Sequence, residues 1–391
     1  MTSLPSLLVL NLTTDCNMRC LYCYASAGDK QNYMQSKIAI KTIKELKELN
    51  KNKTIRILFH GGEPLLCFKQ IEEIVDFCKK NYKDGIDFYI QTNATLLTPS
   101  IIQYLSKNNI KISISIDGCN ETSNYCRVLK NSQNSFHIIQ DTINNLNKYQ
   151  IEYNCLVVLN KHNYKYVEQI IKYFVKHNCT NFSFNYFIKS GRGKTNNNLA
   201  LTNTQLFTTT KKILHTIHKF YDAGIILTER NTNFLVRTIY SSKKYFMCAN
   251  SPCGAGLNLL GITPTGDIYP CDDLSSEPLF CLGNIEKSHL KDILNNKKLK
   301  YFLNCSYENI EQCKNCTLKN KCGAGCCSRK FFENGNIYTL DPICSFYKKI
   351  IPYIEDLIKN NKIPKGLYNL KWILKILVKN YFFFSKILPI S

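Results

Sequence analysis

Short apolar runs alternate with longer amphipathic stretches along the first half of the chain. Six runs rich in branched and aromatic side chains predict β-strands, at residues 7–12, 55–59, 88–92, 112–116, 154–159 and 181–187. Helical periodicity separates them, for example at 36–49, where Ile38, Ile43, Leu46 and Leu49 share one face, and at 70–82. Strands and helices that alternate in this way form parallel sheets. A complete eightfold barrel needs about 250 residues and only about 220 are available, so we predict an α/β fold with a partial (β/α)6 TIM-type barrel.

The second half of the chain has a different character. Residues 191–202 are polar and predict a loop, and a helix is predicted at 205–221. More than half of the 20 cysteines then lie between Cys248 and Cys344, where turn signals such as 264–267 replace helical periodicity. We therefore predict a barrel at 1–235, a small cysteine-rich domain organised by metal at 236–350, and a tail at 351–391.

The predicted tail is apolar but interrupted by lysines. Lys371, Lys375 and Lys379 fall on one face of a helix with apolar residues opposite. The interruptions exclude the uninterrupted span of about 20 apolar residues that a membrane helix needs. We predict a basic amphipathic C-terminal helix that contacts an anionic membrane surface or docks a partner, with packing against the barrel as the alternative.

Composition narrows the class of protein. A chain of 391 residues with 44% hydrophobic content is long enough to bury a sizeable core, so a disordered chain is excluded. Cysteine makes up about 5% of the residues, below the ~8–10% of a disulfide scaffold. The first residues lack the features of a secretory signal. We expect a reducing, cytoplasmic compartment in which the cysteines are thiols or metal ligands.

The charge balance is strongly basic. The 51 Lys and Arg outweigh the 29 Asp and Glu and give a formal net charge of +22. Only seven of the basic residues are Arg, the side chain whose fork recognises phosphates and base edges. The Lys-rich excess suits an acidic peptide or a membrane surface better than specific nucleic-acid recognition.

Three cysteines follow the first predicted strand directly. Cys16, Cys20 and Cys23 have the spacing C-x3-C-x2-C in a loop at the expected C-terminal mouth of the barrel. Three thiolates on one loop can bind three irons of a cubane cluster and leave the fourth iron open for a substrate or cofactor. Structural zinc sites usually have four protein ligands in two pairs. The spacing therefore favours an iron–sulfur cluster.

This motif resembles that of the radical S-adenosylmethionine enzymes, with Tyr22 as the aromatic residue before Cys23. Gly61, Gly62, Glu63 and Pro64 are similar to the family's G-G-E-P segment. The resemblance implies that the glycines let the backbone approach the cofactor and that the Glu63 carboxylate pairs with its methionine ammonium.

Weaker similarities continue downstream. Asn93 lies in a segment that resembles T-N-G-T-L-L, with Ala94 in place of glycine. The resemblance implies that Ser115 and Arg127 contact the ribose and carboxylate of S-adenosylmethionine. The segment after Arg127 lacks the family's usual glycines.

The cysteines of the second half resemble a SPASM extension, the auxiliary-cluster domain of radical enzymes that modify peptides. Seven of them have this spacing and Cys248 supplies an eighth thiol, the number that two fully protein-ligated [4Fe–4S] clusters require. The resemblance implies one auxiliary cluster on Cys248, Cys253, Cys271 and Cys326, and a second on Cys313, Cys316, Cys322 and Cys344. The other cysteines, Cys305 among them, are interpreted as ordinary buried thiols.

The resemblance implies a maturase with S-adenosylmethionine and three [4Fe–4S] clusters, reduced by a donor such as flavodoxin or ferredoxin. A 5′-deoxyadenosyl radical would abstract hydrogen from a peptide or protein substrate. Asp272, directly after Cys271, is a candidate base, with a solvated turn carboxylate as the alternative.

Two enzyme functions compete. His60, where glutamine is usual, and the segment at 190–193 favour a ribosomal-peptide maturase that makes a thioether, carbon–carbon or related crosslink. Asp272 and the compact chain suit an anaerobic sulfatase-maturating enzyme that oxidises Cys or Ser to formylglycine. A third possibility from another class is a cysteine-rich zinc protein that binds nucleic acid. We take the crosslinking maturase as the main prediction.

Overall fold

The computed structural model describes residues 4–51, 53–241 and 247–363. Its strands are β1 Leu7–Asn11, β2 Ile55–His60, β3 Ile86–Thr92, β4 Lys111–Ser115, β5 Tyr153–Val158, β6 Asn181–Asn185, β7 Thr228–Glu229, β8 Leu259–Ile262, β9 Asp267–Tyr269 and β10 Gly283–Asn284. They form one sheet in the order β10-β9-β8-β1-β2-β3-β4-β5-β6-β7. Strands β1–β8 run parallel to one another, whereas β9 pairs with β8 and β10 in antiparallel fashion.

The helices lie between and after these strands. They are α1 Ser36–Leu49, α2 Phe68–Asn81, α3 Pro99–Lys107, α4 Phe136–Lys148, α5 Val167–Lys176, α6 Arg192–Thr195, α7 Asn203–Asp222, α8 Arg230–Ser241, α9 Leu290–Leu294, α10 Lys297–Leu303, α11 Glu311–Lys314, α12 Lys319–Cys322, α13 Cys327–Asn334 and α14 Cys344–Lys359. Short 3₁₀ turns occur at Pro64–Cys67, Tyr164–Tyr166, Asn197–Leu199, Met247–Ala249, Asp272–Leu274, Pro278–Phe280 and Tyr307–Asn309.

The predicted α/β organisation with a parallel sheet is confirmed. All six predicted strands are present, and α1 has the predicted bounds. The sheet is longer than six strands, because β7 pairs with β6 and β8 pairs with β1. Strand β8 lies within the range predicted for the second domain, so the cysteine-rich region begins as an extension of the barrel sheet.

Apolar periodicity explains why these elements form. Helix α1 buries Ile38, Ile43 and Leu46 on the face that packs against the sheet. Strand β1 buries residues on both faces, with Leu8 and Leu10 inaccessible to solvent, as expected for a strand in the middle of a covered parallel sheet. The carboxyl ends of β1, β2 and β8 therefore meet at one edge of the barrel.

The cysteine-rich region has its own apolar cluster. Cys253, Phe280, Phe302, Cys327 and Ile337 are buried together there, surrounded by short helices. Side chains from the segments that carry the cysteines make up much of this core. Its packing is therefore coupled to the cysteines.

The segments after β6 differ in part from the predicted pattern. The predicted loop at 191–202 is wrong in part, because Arg192–Thr195 forms α6 and a 3₁₀ turn follows. Helix α14 crosses the boundary predicted at residue 350 and packs on α7 and α8. The predicted amphipathic helix with Lys371, Lys375 and Lys379 lies outside the described residues. Within the described part of the chain, no helix has the length and apolarity needed to cross a membrane.

Candidate active site

The loop after β1 carries the first three predicted metal ligands. Cys16 and Cys20 are buried, and Cys23 is half-buried. Backbone amides point at two of the sulfur atoms: Met18 N–H donates to Cys16 Sγ at 3.4 Å, and Ala27 N–H donates to Cys23 Sγ at 3.4 Å. Such donors stabilise thiolates and tune the potential of a cluster bound to them.

Burial keeps the thiols of Cys16 and Cys20 protonated until a metal binds. Burial, and then the nearby Glu63 carboxylate, raise the pKa of Cys16 to about 12. Burial also raises the pKa of Cys20, against the opposing effect of Arg127. The thiols must lose their protons to bind iron, so loading the site releases protons.

Two arginines hold this loop in shape. Arg19 donates from Nη1 to the carbonyl of Cys16 at 2.7 Å. Arg192, which begins α6, donates from Nε to the carbonyl of Cys20 at 3.0 Å and from Nη2 to that of Ala27 at 3.0 Å. Sequence reasoning missed this role of Arg192, because its partners lie far away along the chain. The segment at 190–193 thus supports the three-cysteine loop.

Gly61 and Gly62 pack against the backbone of the same loop. Gly61 has a φ of +124°, and a Cβ atom there would lie 2.4 Å from the carbonyl oxygen of Thr13. A Cβ atom on Gly62 would lie 1.9 Å from the carbonyl oxygen of Asp15. Both positions need glycine because the end of β2 and the cysteine loop approach each other closely. The predicted contact of these glycines with the cofactor stays a prediction.

Glu63 is completely buried and accepts three hydrogen bonds. Its Oε1 accepts from Thr92 Oγ1 at 2.7 Å and from Leu65 N–H at 3.1 Å, and Oε2 accepts from Asn93 N–H at 2.7 Å. Burial raises the pKa of Glu63 to about 6, although the hydrogen bonds oppose the rise. The carboxylate therefore joins the ends of β2 and β3, and its pairing with a cofactor ammonium stays a prediction.

Asn93 links the end of β3 to the cysteine loop. Its Nδ2 donates to Asn17 Oδ1 at 2.8 Å and lies 3.7 Å from Cys16 Sγ. Ala94 follows with a φ of +67°, the conformation for which glycine would be favoured. Ser115 is half-buried at the end of β4, and its contact with a cofactor stays a prediction.

Tyr22 and Arg127 lie together in the barrel interior. Arg127 Nη1 donates to Tyr22 Oη at 3.0 Å. Asp117, which the sequence analysis did not assign, is fully buried next to them, and its pKa is raised to about 6 by burial against the opposing charge of Arg127. In the described part of the chain, Arg127 Nε and Asp117 Oδ2 have no hydrogen-bond partner. Orphaned buried polar atoms of this kind fit a ligand with several donors and acceptors.

A cavity of about 450 Å³ opens beside the cysteine loop. Asn11, Gly61 and Thr263 line it at the carboxyl ends of β1, β2 and β8, and Tyr24 and Asp273 complete its wall. Ligands of barrel folds bind at this edge of the sheet, and the volume is within the usual range for small-molecule sites. The three thiols fit an iron–sulfur cluster and the cavity beside their loop fits S-adenosylmethionine, whereas Arg127 and Asp117 are not among the residues that line this cavity.

Asp272 is held among residues that line this cavity. Tyr24 Oη donates to Asp272 Oδ2, and Asn11 Nδ2 donates to Oδ1 at 2.5 Å. His60 Nδ1 lies 3.5 Å from Oδ2 and 3.3 Å from Asn11 Oδ1. Burial, and then the charge of Asp272, raise the pKa of Tyr24 well above its ordinary value, so the phenol remains a donor. This group is called the Asp272 cluster below: Asn11, Tyr24, His60 and Asp272.

The eight remaining predicted ligands form two groups in the cysteine-rich region. Burial chiefly raises the pKa of Cys271, and its neighbours include Cys248, Cys253 and Cys326. The other four line one cavity of about 30 Å³: Cys313, Cys316, Cys322 and Cys344. Among residues 4–51, 53–241 and 247–363, no three His, Cys, Asp or Glu side chains lie close enough to hold a single metal ion. The grouping agrees with the ligand sets that the resemblance implies, and the sets themselves stay predictions.

Cys326 and Cys327 are adjacent, and both lie near Cys253. Cys327 is buried and donates from Sγ to Cys305 Sγ at 3.7 Å. The backbone N–H of Cys326 donates to Asp341 Oδ2 at 2.7 Å. The choice of Cys326 as the ligand of the first auxiliary cluster stays a prediction.

Comparison with known proteins identifies the family. Residues 10–174 match the model of the radical SAM superfamily, and residues 253–317 match that of the SPASM iron-sulfur cluster-binding domain. An uncharacterized protein of Methanocaldococcus jannaschii is 33% identical over 291 residues, which cover 73% of this chain and 90% of that protein. The chain belongs to the radical SAM superfamily. The resemblance inferred from the cysteine motifs is confirmed.

Relatives with a named activity or a solved structure also match this chain. A cysteine-type anaerobic sulfatase-maturating enzyme of Clostridium novyi (strain NT) is 28% identical over 365 residues, covering 88% of this chain and 95% of that enzyme. The solved structure of native anSMEcpe with bound AdoMet matches with a TM-score of 0.79 and 25% identity, over 90% of this chain and 99% of that one.

Membership in the radical SAM superfamily settles the class of chemistry. The chain is an enzyme, and its cofactors are S-adenosylmethionine and [4Fe–4S] clusters. The alternative of a zinc protein that binds nucleic acid is therefore wrong.

Proposed function

We propose that this radical SAM enzyme oxidises a Cys or Ser side chain of a sulfatase-type peptide to formylglycine. This proposal reverses our preference for a crosslinking maturase. The segment at 190–193, which favoured crosslinking, supports the three-cysteine loop through Arg192 instead. The relative from Clostridium novyi is a sulfatase-maturating enzyme similar over most of both chains.

The Asp272 cluster is the observation that carries the proposal. Formation of an aldehyde at a side-chain carbon requires a base close to that carbon, because a proton leaves after the hydrogen atom. Asp272 is an acceptor beside the cavity, and Tyr24 and Asn11 fix the orientation of its carboxylate. The carboxylate can take a proton while its neighbours keep it in place.

Each chemical step can be balanced with a cysteine substrate. S-adenosylmethionine and its cluster, when bound, supply the radical that removes one hydrogen atom from the Cys Cβ. Asp272 accepts one proton, and one further electron leaves the substrate, which gives a thioaldehyde. Water then replaces the sulfur, releasing hydrogen sulfide and the aldehyde. For a serine substrate the same two-electron oxidation gives the aldehyde directly.

The other residues hold the cofactors in this proposal. Cys16, Cys20 and Cys23 would bind the cluster that interacts with S-adenosylmethionine, and the orphaned Arg127 Nε would donate to a polar atom of that cofactor. Cys271 adjoins Asp272, so the proton acceptor lies next to a ligand of the first auxiliary cluster. A [4Fe–4S] cluster held there would accept the electron that leaves the substrate.

The proposal is tested with the reconstituted, reduced enzyme under anaerobic conditions. Two peptides carrying a sulfatase-type sequence are incubated with it, one with Cys and one with Ser at the reacting position, and a peptide with Ala there is the control. We expect an aldehyde that reacts with a hydrazine probe, formed together with one 5′-deoxyadenosine per turnover. Loss of two hydrogens with sulfur retained and no aldehyde would instead support the crosslinking maturase.

Metal content is measured on the same preparation. Three clusters predict about twelve irons and as much sulfide per chain. Flavodoxin or ferredoxin as the natural electron donor remains a prediction, which replacement of the chemical reductant by either protein checks.

A further inference from the structure

Lys330 is a buried lysine in the middle of the cysteine-rich region. Only 1% of its surface is exposed, although it belongs to the short helix α13. Its Nζ contacts Cys305 Sγ at 3.8 Å. Lysine is almost never fully buried unless it is paired, so this position calls for a counter-charge.

The protein supplies no carboxylate for this ammonium. In the described part of the chain, no Asp or Glu oxygen lies within ion-pair distance of Lys330 Nζ. The adjacent residue Arg329, by contrast, is paired with Asp341 at 2.6 Å. The two neighbouring buried cations therefore differ in their partners. A carboxylate neutralises Arg329, whereas Lys330 contacts a sulfur atom.

Lys330 is packed beside segments of both proposed ligand sets. Its contact Cys305 accepts a hydrogen bond from Cys327 Sγ at 3.7 Å, and Cys327 directly follows Cys326 of the first set. Cys313 of the second set is buried in the same cluster as Cys305. The ammonium therefore lies in the buried region that both sets share.

The apolar surroundings strengthen the effect of this charge. Cys253, Cys305, Cys313 and Cys327 belong to the same buried cluster, together with Phe302. Charges interact more strongly there than in water, because little solvent screens them. A single ammonium can therefore influence both sites.

We propose that the Lys330 ammonium is the built-in counter-charge of the two auxiliary clusters and raises their reduction potentials. A four-thiolate [4Fe–4S] cluster carries about −2 when oxidised and gains another negative charge on reduction. A buried cation stabilises the reduced form more than the oxidised form. The potential then favours acceptance of the single electron that leaves the substrate radical.

This inference rests on the auxiliary-ligand assignment of the proposed function, but not on which peptide is the substrate. Lys330 is a positioning residue in this scheme, since it touches neither substrate nor S-adenosylmethionine. Its neighbour Cys305, interpreted from the sequence as an ordinary thiol, is the contact that orients the ammonium.

The test is an EPR-monitored redox titration of the reconstituted enzyme without peptide. Lys330→Met removes the charge and keeps an unbranched chain, and Lys300→Met is the matched control at an exposed lysine of the same region. We expect reduction of an auxiliary cluster in Lys330→Met to be at least tenfold less favourable at a fixed potential, a shift of about 59 mV for one electron. Lys300→Met and the cluster on Cys16, Cys20 and Cys23 should be unchanged.

Two further variants distinguish the loss of the charge from a folding defect. Lys330→Gln keeps a donor without the charge, and Lys330→Arg keeps the charge. The proposal is supported if the reduction potentials of the auxiliary clusters fall in the Met and Gln variants and stay near wild type in the Arg variant. Loss of auxiliary iron confined to the two neutral variants supports it as well. Unchanged potentials with full iron content overturn it, and so does loss of iron in all three variants, which would make Lys330 a packing residue. Formylglycine formation is scored separately, so failure of the proposed function remains distinguishable.

Discussion

Tyr24 donates a hydrogen bond to the carboxylate of Asp272, although the two residues lie 248 positions apart. Tyr24 directly follows the last cysteine of the first loop, and Asp272 directly follows Cys271. The hydrogen bond therefore connects the three-cysteine loop to the cysteine-rich region. A substrate in the cavity next to this pair would have a radical source and a proton acceptor within reach.

Asp272→Asn should separate hydrogen abstraction from product formation. The amide cannot accept the proton, and general bases typically contribute 10²–10⁴-fold in rate. We expect aldehyde formation to fall by about 10²-fold or more, with 5′-deoxyadenosine still produced. Both products are quantified from one reaction by mass spectrometry.

Tyr24→Phe is the companion variant for Asp272→Asn. It removes a donor to the carboxylate but leaves the base, so a smaller loss of aldehyde is expected than for Asp272→Asn. Equal aldehyde yields from wild type and Asp272→Asn would remove Asp272 from the mechanism.

Gly62→Ala should prevent the first cluster from loading. The new Cβ would overlap the Asp15 carbonyl oxygen, 1.9 Å away, so the cysteine loop must move. We expect iron to fall by about four per chain while the auxiliary clusters remain. Iron analysis and EPR of the reduced protein measure this loss.

Gly335→Ala is the control for steric overlap. Its φ is +70°, and a Cβ atom there would meet nothing within 4 Å. It should therefore lose about 1 kcal/mol through backbone strain and keep its iron. Full iron content in Gly62→Ala would show that the close approach of β2 to the loop does not control loading.

The sequence was informative where a function depends on residues close together along the chain. The three cysteines of the first loop, Gly61, Gly62 and Glu63 all stand in short motifs after predicted strands. Apolar alternation also predicted the strands that carry them, because buried parallel strands are nearly continuous apolar runs.

Contacts between distant segments could not be predicted in this way. Asn11 and Tyr24 join Asp272 only because β8 pairs with β1 and the segment after β9 packs against Gly261 of β8. Strand β8 is only four residues long, and nothing local indicates which strand it pairs with. Arg192 and Lys330 escaped notice for the same reason, since their roles depend on partners that the fold supplies.

Glu63→Gln should reduce stability by an amount that depends on pH. In the variant, an amide group of glutamine faces Asn93 N–H, which needs an acceptor. The unsatisfied N–H lowers the free energy of unfolding by about 1–3 kcal/mol. Burial raises the folded-state pKa of Glu63 from 4.5 to about 6, so the wild type loses stability as the pH rises through this interval. The wild type loses about 2 kcal/mol of unfolding free energy in this way, whereas the glutamine variant shows no such loss.

The difference in stability between wild type and Glu63→Gln should therefore be larger at low pH than at neutral pH. Anaerobic urea unfolding on both sides of the interval measures it. The exposed Glu48, changed to Gln, is the control for replacing a glutamate by glutamine at the surface. A difference that is constant with pH, or larger at neutral pH, would mean that Glu63 is not a buried carboxyl with a raised pKa.

Asp341→Ala should destabilise the cysteine-rich region more than any surface change. Its carboxylate pairs with Arg329 at 2.6 Å, with side-chain exposures of 2% and 11%, and also accepts from the backbone N–H of Cys326 and of Ile343. Removal of one partner of a buried ion pair costs about 3–5 kcal/mol, because the other charge is left uncompensated. Calorimetry of the reconstituted enzyme should show the lowered transition, and iron analysis should show loss from the auxiliary sites first.

The double variant Asp341→Leu with Arg329→Met separates the two roles of Asp341. Apolar replacement of both partners of a buried pair is often neutral or stabilising, so much of the unfolding free energy should return. The N–H groups of Cys326 and Ile343 would still lack their acceptor. Cys326 is a proposed ligand of the first auxiliary cluster, and Ile343 directly precedes Cys344, a proposed ligand of the second. We therefore expect stability to recover while auxiliary iron stays low. Recovery of both would show that Asp341 only neutralises Arg329, because the backbone of the ligand segments would then hold its shape without the carboxylate.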